Sequence, residues 1–355
     1  MRYIIHGAGA IGGLVGGWLA ASGAEVVLVA RQAMAEAVNA RGLTIRSRAG
    51  DQHIPHLKAV TEPQQLKPRE DDVILLMVKS QQTADSVQAL REVFSEETPL
   101  FCFQNGVRNE EIAAGRFRRV YGVMVGPSAT LLEPGVIAHT RMRDLALGNY
   151  PLGHDEILGE VADQLGRAGF KITRHNNVMA VKWSKLLLNL NNATHAIANY
   201  YVQLSHVLPP VGRFMADVVE EGLCVLEAAG ISVEEENNPF NVKAWIAHNR
   251  NLTEDPAALR EAENLPEYLR TWPSTQVDLK NRRGETEAGY FNGEIILLGE
   301  KHGIFTPFKS TLLTTVETMA IENQMPGRYT IDELIEMVEQ KRRELYHEHS
   351  ETPPQ

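Results

Sequence analysis

Three groups of residues in this 355-residue chain have the types and spacing to do chemistry. The first is Gly7-Ala8-Gly9-Ala10-Ile11-Gly12, which follows a short run of β-formers and leads into Gly13-Leu14-Val15-Gly16-Gly17-Trp18-Leu19-Ala20. Strand, glycine turn and helix is the context in which a G-x-G-x-x-G pattern binds a dinucleotide. Gly7 allows the turn, Gly9 lets a pyrophosphate approach the backbone, and Gly12 lets the helix pack against the strand. The free N–H groups of the helix start face the phosphates. The alternative is a glycine-rich turn with no nucleotide. The second group is Arg31, at the end of the run Glu25-Val26-Val27-Leu28-Val29-Ala30, with no acid beside it before Glu36. An NAD site carries Asp or Glu there to bind the ribose 2′-hydroxyl. A guanidinium suits a 2′-phosphate, which a carboxylate would repel, so NADP(H) is expected, the alternative being a solvated surface arginine. The third group is the ladder Lys185, Asn189 and Asn192 within Val181–Asn192. Lys185 and Asn189 are i,i+4 and share a helix face, with Asn192 three residues on. The amides cost helix propensity, so a purely structural helix gains little from them. A ladder of this kind orients a small polar substrate with the lysine as proton donor. The alternative is a polar face turned to solvent or capping a domain interface.

The elements that must position these residues follow from periodicity. Asp72-Val73-Ile74-Leu75-Leu76-Met77-Val78 is a continuous apolar run ending at Lys79, and Pro99-Leu100-Phe101-Cys102-Phe103 ends in Gln104-Asn105-Gly106. Such runs are buried parallel strands, and ligands lie beyond their carboxyl ends. Gly7, Arg31, Lys79 and Asn105 all fall there. A further strand is expected at 119–125, a hairpin from 135–139 and 145–148, a helix near 156–168 and a strand at 170–173. The stretch up to Glu70 reads as a polar excursion with a short strand near 43–47. From Asn177 onward no confident strand remains. One long helix is expected over 178–200, with others at 209–229, 274–282, 287–302, 307–323 and 331–347. The polar, proline-divided segment 231–271 reads as short helices in a peripheral insertion. These expectations give an α/β protein with a dinucleotide-binding domain at 1–175, a helical substrate domain at 176–345 and a disordered tail at 346–355.

Hydrophobic residues make up 43% and charged residues 23% of the chain, an ordinary globular composition. A net charge of −10 argues against a nucleic-acid partner, which calls for a basic face. Cys102 and Cys224 are too few for a disulfide framework, no apolar run reaches membrane-spanning length, and the first strand leaves no room for a signal peptide. A cytoplasmic protein acting on a small molecule is expected. A homodimer through the helical domain fits, although no apolar stripe marks it out. No metal site is expected.

In order along the chain, Gly7–Gly12, Arg31, Val78-Lys79-Ser80, Gln104-Asn105-Gly106-Val107, Gly126-Pro127-Ser128-Ala129-Thr130, Trp183-Ser184-Lys185-Leu186 with Asn189, Ser274-Thr275-Gln276 and Thr286–Gly293 resemble the ketopantoate reductase (2-dehydropantoate 2-reductase) family. The resemblance implies an N-terminal Rossmann-type domain, a helical C-terminal domain like that of 6-phosphogluconate dehydrogenase, and an active site in the cleft between them. It implies NADPH-dependent reduction of 2-dehydropantoate to (R)-pantoate in pantothenate biosynthesis. Lys185 matches the lysine that protonates the carbonyl oxygen, and Glu287 matches the acid beside the nicotinamide and the reacting groups. Asn189 and Ser274 match substrate positions, while Lys79, Asn105 and Ala129 match cofactor contacts. Three departures leave the identity of the 2-oxo acid open: Ala193 stands where a second substrate Asn is usual, with Asn192 one residue early; Gly289 replaces an acid; and the segment 231–273 is long. The alternatives are a reductase of another 2-oxo acid and a catalytically silent NADP-binding redox sensor.

Overall fold

The structure, a computed structural model, describes residues 1–47, 49–141 and 144–350. The chain divides into two compact units, Met1–Trp183 with Glu234–Asn238, and Ser184–Val233 with Pro239–Gln355.

The first unit runs β1 (Arg2–His6), α1 (Ala10–Ala21), β2 (Glu25–Val29), α2 (Gln32–Arg41), β3 (Leu43–Arg46), β4 (Gln52–Ile54), β5 (Lys58–Val60), β6 (Asp72–Leu76), α3 (Thr83–Arg91), β7 (Leu100–Cys102), α4 (Asn109–Ala114), β8 (Val120–Val125), β9 (Ser128–Glu133), β10 (Val136–Arg141), β11 (Asp144–Asn149), α5 (Glu156–Arg167) and β12 (Lys171–Arg174). Eight strands form one sheet in the order β12-β11-β8-β7-β6-β1-β2-β5. From β5 to β8 neighbouring strands are parallel; β11 then runs antiparallel to β8, with β12 parallel to β11. The continuous apolar runs are explained by burial on both faces. Ile5, Leu28, Leu75 and Phe101 belong to one apolar cluster, and their neighbours Ile4, Val27, Ile74 and Leu100 to another. β1 lies between β2 and β6, so the order reverses at β1, the topological switch point of a doubly wound sheet.

A second sheet has the order β4-β3-β10-β9. Here the expected hairpin fails. β10 pairs antiparallel with β9 and parallel with β3, whereas β11 belongs to the large sheet. β9 escaped detection because its residues are mostly exposed and lack the alternation that marks a half-buried strand. Gly135, at a φ of +84°, makes the β9–β10 turn. The polar excursion before Glu70 also contains more order than expected: β5 joins the edge of the large sheet beside β2.

Beyond Arg174 the described chain is helical: α6 (Val178–Asn189), α7 (Asn191–Ala198), α8 (Val202–Ser205), α9 (Pro209–Ala228), α10 (Val242–Arg250), α11 (Pro256–Glu263), α12 (Ser274–Lys280), α13 (Asn292–His302), α14 (Pro307–Ile321) and α15 (Ile331–Ser350). α6 passes from the first unit into the second. The expected single helix over 178–200 is interrupted at Leu190, whose carbonyl accepts a hydrogen bond from Asn292 Nδ2 at 3.4 Å. α7 ends at Asn199 in the left-handed region, φ 58°, a conformation asparagine tolerates. The segment 231–271 is not peripheral throughout. Val242, Ile246 and Asn249 of α10 are buried, and a Cβ at Gly212 of α9 would come within 2.4 Å of Leu252 Cδ1. The expected tail overlaps α15, which reaches Ser350; residues 351–355 lie outside those described. No described helix is long and apolar enough to cross a membrane.

Candidate active site

The glycine turn is built as its spacing implies. Gly7 has a φ of +101°, and a Cβ there would come within 2.7 Å of Val78 N. Only glycine fits both constraints. A Cβ at Gly12 would lie 2.3 Å from Gly7 O, so the helix rests directly on the turn. At Gly9 nothing lies within 4 Å of an added Cβ. The Gly7 and Ala8 amides donate to Val29 O at 3.0 and 3.1 Å, while Gly9 N donates to Gly7 O at 2.7 Å. α1 begins at Ala10 with no side-chain cap and no acid in its first turn. Its amino end is therefore bare on the side where Gly9 leaves space, the arrangement that receives an anion. α1 itself is clamped between sheets. Added Cβ atoms would meet Leu28 Cδ2 from Gly16 at 2.7 Å on the large sheet, and Ile137 Cδ1 from Gly13 at 2.2 Å on the small one.

Arg31 follows β2 and precedes α2, two residues beyond the carbonyl that fixes Gly7. Its side chain is exposed, and it forms no ion pair among the described residues. Lys79 precedes a short 3-10 turn, Ser80–Gln82, at the carboxyl end of β6. Asn105 lies after β7, and the structure ties the two turns together: Ser80 Oγ donates to Asn105 O at 3.1 Å. Ala129 is placed on β9, opposite His139 in the small sheet.

Sequence reasoning missed the buried polar network beneath Asn105. Asn109 Nδ2 donates to Asn105 O at 2.8 Å; Thr83 Oγ1 donates to Asn109 Oδ1 and receives Gln104 Nε2, each at 2.7 Å. Lys182 Nζ donates to Gln104 O at 3.1 Å and pairs with the Glu110 carboxylate, both side chains being buried. Burial pushes the Glu110 carboxyl above its usual range, and the Lys182 ammonium opposes that shift. The pair fastens the start of α6 to the segment that carries Asn105. The signal available in the sequence was slight: Asn109-Glu110-Glu111 is a helix start with acids in its first turn.

In the helical unit, Lys185, Leu188, Asn189 and Asn192 are partly exposed while Leu186, Leu187, Leu190 and Ala193 are buried. The lysine and the two asparagines thus share one accessible stripe of α6 and α7, and Ala193 points into the packing. Ser274 is exposed as the first residue of α12, and Gln276 Nε2 of that helix donates to Asn199 Oδ1 at the end of α7, 2.7 Å. Glu287 is not helical as expected. It precedes a 3-10 turn, Ala288–Tyr290, and its carbonyl accepts Tyr290 N at 3.0 Å. The bond from Asn292 to Leu190 O brings the start of α13 onto the α6–α7 junction. The helices carrying Lys185, Asn189 and Asn192 are thus contacted at Leu190 by the start of α13, just after Glu287, and at the far end of α7 by α12, which Ser274 begins. Among the described residues no three His, Cys, Asp or Glu side chains gather as metal ligands.

Comparison with known proteins matches residues 3–151 to the family model described as "Ketopantoate reductase PanE/ApbA" and residues 177–320 to "Ketopantoate reductase PanE/ApbA C terminal". A 2-dehydropantoate 2-reductase of Pyrococcus horikoshii is 35% identical over 189 residues, which is 53% of this chain and 61% of that protein. One from Archaeoglobus fulgidus is 28% identical over 323 residues, 89% of this chain and 96% of that protein. A crystal structure of a PanE/ApbA family ketopantoate reductase from Ralstonia eutropha JMP134 superposes with a TM-score of 0.76 at 27% identity, covering 91% of this chain and 99% of that one. With both family models matched in order along its two units, the chain belongs to the ketopantoate reductase PanE/ApbA family.

Proposed function

We propose that this chain is an NADPH-dependent oxidoreductase that reduces 2-dehydropantoate to (R)-pantoate, as in pantothenate biosynthesis. The observation that carries the reading is the shared accessible stripe of Lys185, Asn189 and Asn192 on helices whose other residues are mostly buried. In this reading residues 1–175 bind the dinucleotide and residues 176–345 the substrate, and the protein works in the cytoplasm on a small molecule, with a homodimer through the helical domain and no nucleic-acid partner.

The fit to a dinucleotide rests on the open space at Gly9 beside an uncapped helix start. NADPH, when bound, supplies the hydride. Every other role falls to the chain's own residues. Gly7, Ala8, Gly9, Ala10, Ile11 and Gly12 present backbone to the pyrophosphate. Arg31 neutralises the 2′-phosphate, and Lys79, Asn105 and Ala129 line the rest of the cofactor. The Lys185 ammonium stabilises the alkoxide that develops on the carbonyl oxygen and hands it a proton. Asn189, Asn192 and Ser274 hold the hydroxyl and carboxylate of the 2-oxo acid, and Glu287 orients the reacting groups. Asn192 takes the part of the second asparagine, because it lies on the Lys185 stripe whereas Ala193 is packed away.

A second reading, reduction of a different 2-oxo acid on the same machinery, is favoured by Ala193 and Gly289. NADPH oxidation measured with 2-dehydropantoate against a panel of branched 2-oxo acids separates the two. Turnover of 2-dehydropantoate no faster than of the others refutes the first reading. Absence of any turnover together with tight NADPH binding would leave the redox-sensor alternative.

A further inference from the structure

The last residue of β1, His6, stands directly before the glycine turn, and the mechanism above gives it nothing to do. It is 8% exposed, its Nδ1 is enclosed with no hydrogen-bond partner, and it forms no side-chain hydrogen bond among the described residues. Its backbone is fully engaged: the amide and carbonyl lie within the parallel ladders to β2 and β6, opposite Val29 and Leu76, and its carbonyl accepts Met77 N at 2.8 Å. Alternation along β1 puts its side chain on the face of Ile4, whose cluster includes Val29 and Leu76. These neighbours are aliphatic. Burial holds the imidazole at a pKa of about 4, so it is neutral and carries one N–H and one lone pair.

A buried polar ring with no partner is costly, and buried polar groups in folded proteins are nearly always satisfied. A valine or leucine would complete this apolar end of the sheet at no such cost. The position explains the exception. β1 is the strand at which the sheet order reverses, and the ligand of a doubly wound sheet lies beyond its carboxyl end. His6 ends that strand, one residue from Gly7 and beside the end of β2 that leads to Arg31.

We propose that His6 is a nucleotide-binding residue whose imidazole, through Nε2, the ring nitrogen that is not enclosed, bonds the ribose–phosphate part of the adenosine half of the bound dinucleotide. This rests on the dinucleotide reading of Gly7–Gly12. It adds a side chain to a site otherwise built of backbone and Arg31.

The test is binding of NADPH and, separately, of 2′,5′-ADP, which carries only the adenosine half, to the wild type, His6→Phe and His6→Gln, by titration calorimetry. Thermal unfolding of the ligand-free proteins is followed in parallel. Loss of one hydrogen bond weakens binding about tenfold. His6→Phe is expected to weaken both ligands to that extent without lowering the unfolding temperature of the free protein, and His6→Gln to restore part of the affinity. Wild-type affinity for both ligands in His6→Phe overturns the proposal. So does weakening of NADPH with 2′,5′-ADP unchanged. A wild type that binds neither ligand removes the dinucleotide reading along with it, which distinguishes the two failures. If the Phe side chain prevents folding, His6→Leu gives the same readout.

Discussion

Lys182 and Glu110 form an ion pair from which water is excluded: their side chains are 3% and 0% exposed, and the ammonium also meets the Gln104 carbonyl at 3.1 Å. Removing one partner of such a pair strands a charge in the interior, which costs about 3–5 kcal/mol, whereas replacing both by apolar groups is often neutral. Glu110→Gln and Lys182→Met are each expected to lower stability on that scale, and Lys182→Met with Glu110→Leu to recover most of it. Urea unfolding of the four proteins checks this. Single variants within 1 kcal/mol of the wild type would contradict it. The exposed pair Arg118–Glu97, with side chains 67% and 50% exposed, should be worth little by the same measurement.

Two glycines in one turn should respond differently to the same methyl group. Gly12→Ala brings a Cβ to 2.3 Å from Gly7 O and must push α1 off the turn, so it is expected to cost both stability and nucleotide binding. Gly9→Ala meets nothing within 4 Å at a φ of −82°. It should fold like the wild type and yet bind NADPH at least tenfold more weakly, because the space it fills is the ligand's. Comparing unfolding temperatures with NADPH affinities for both variants decides it. Undiminished binding by Gly9→Ala would place the pyrophosphate elsewhere.

The proton donor should be visible in rates rather than in folding. Lys185→Ala is expected to lower kcat/KM for 2-dehydropantoate by on the order of 10²–10⁴, the range for loss of a general acid, with little change in unfolding temperature, since Lys185 lies on the accessible stripe. Asn189→Ala and Asn192→Ala should act mainly through KM. Retention of most of kcat/KM by Lys185→Ala would sink the assignment.

Cofactor preference should sit in one exposed side chain. Arg31→Ala is expected to reduce the preference for NADPH over NADH by roughly tenfold or more, by loss of a charge-assisted contact, with little effect on NADH itself. The ratio of kcat/KM values for the two cofactors measures it, and a wild type that prefers NADH would refute the role.

Acid should destabilise the helical unit through His195. This residue is buried, donates Nδ1–H to Tyr200 O at 3.1 Å, and is held at a pKa of about 4, chiefly by burial. Its contribution is complete above the unfolded value near 6.5. As pH falls from there towards 4 the unfolded chain takes up a proton that the folded protein refuses, and stability drops. His195→Asn keeps a donor for Tyr200 O and removes the titration. Between pH 7 and 4.5 the wild type should lose about 2–3 kcal/mol more than the variant, measured by urea unfolding at both values. Equal losses would show that His195 does not carry the effect.

The parts of the fold that could be read from sequence are those whose burial leaves a repeating mark. β1, β2, β6 and β7 are covered on both faces and so appear as apolar runs, and the glycine turn announces itself because close packing at Gly7 and Gly12 admits no other residue. β9 carries no such mark, since its residues face water, and with it went the true partner of β10. The interruption at Leu190 coincides with a contact from Asn292, about a hundred residues away, which no local pattern contains. Within the candidate site, Lys185 and Asn189 were legible through their spacing. Glu287, Ser274 and Ala129 were reached only through family resemblance. Glu110 and Lys182 looked like ordinary surface charges, because an ion pair that closes across 72 positions leaves no trace in either neighbourhood.

α1 touches the large sheet through Gly12 and Gly16 and the small one through Gly13 and Gly17. At those four positions the helix presents only hydrogen atoms to the sheets, so a substitution there cannot be absorbed by turning a side chain aside. Sequence drift and protein engineering are therefore steered away from these glycines and towards the turn that follows β2, where Arg31 and Gln32 meet solvent. If the proposed cofactor site is right, redesign of cofactor choice has its room there, while the glycine turn proposed to anchor the phosphates stays fixed.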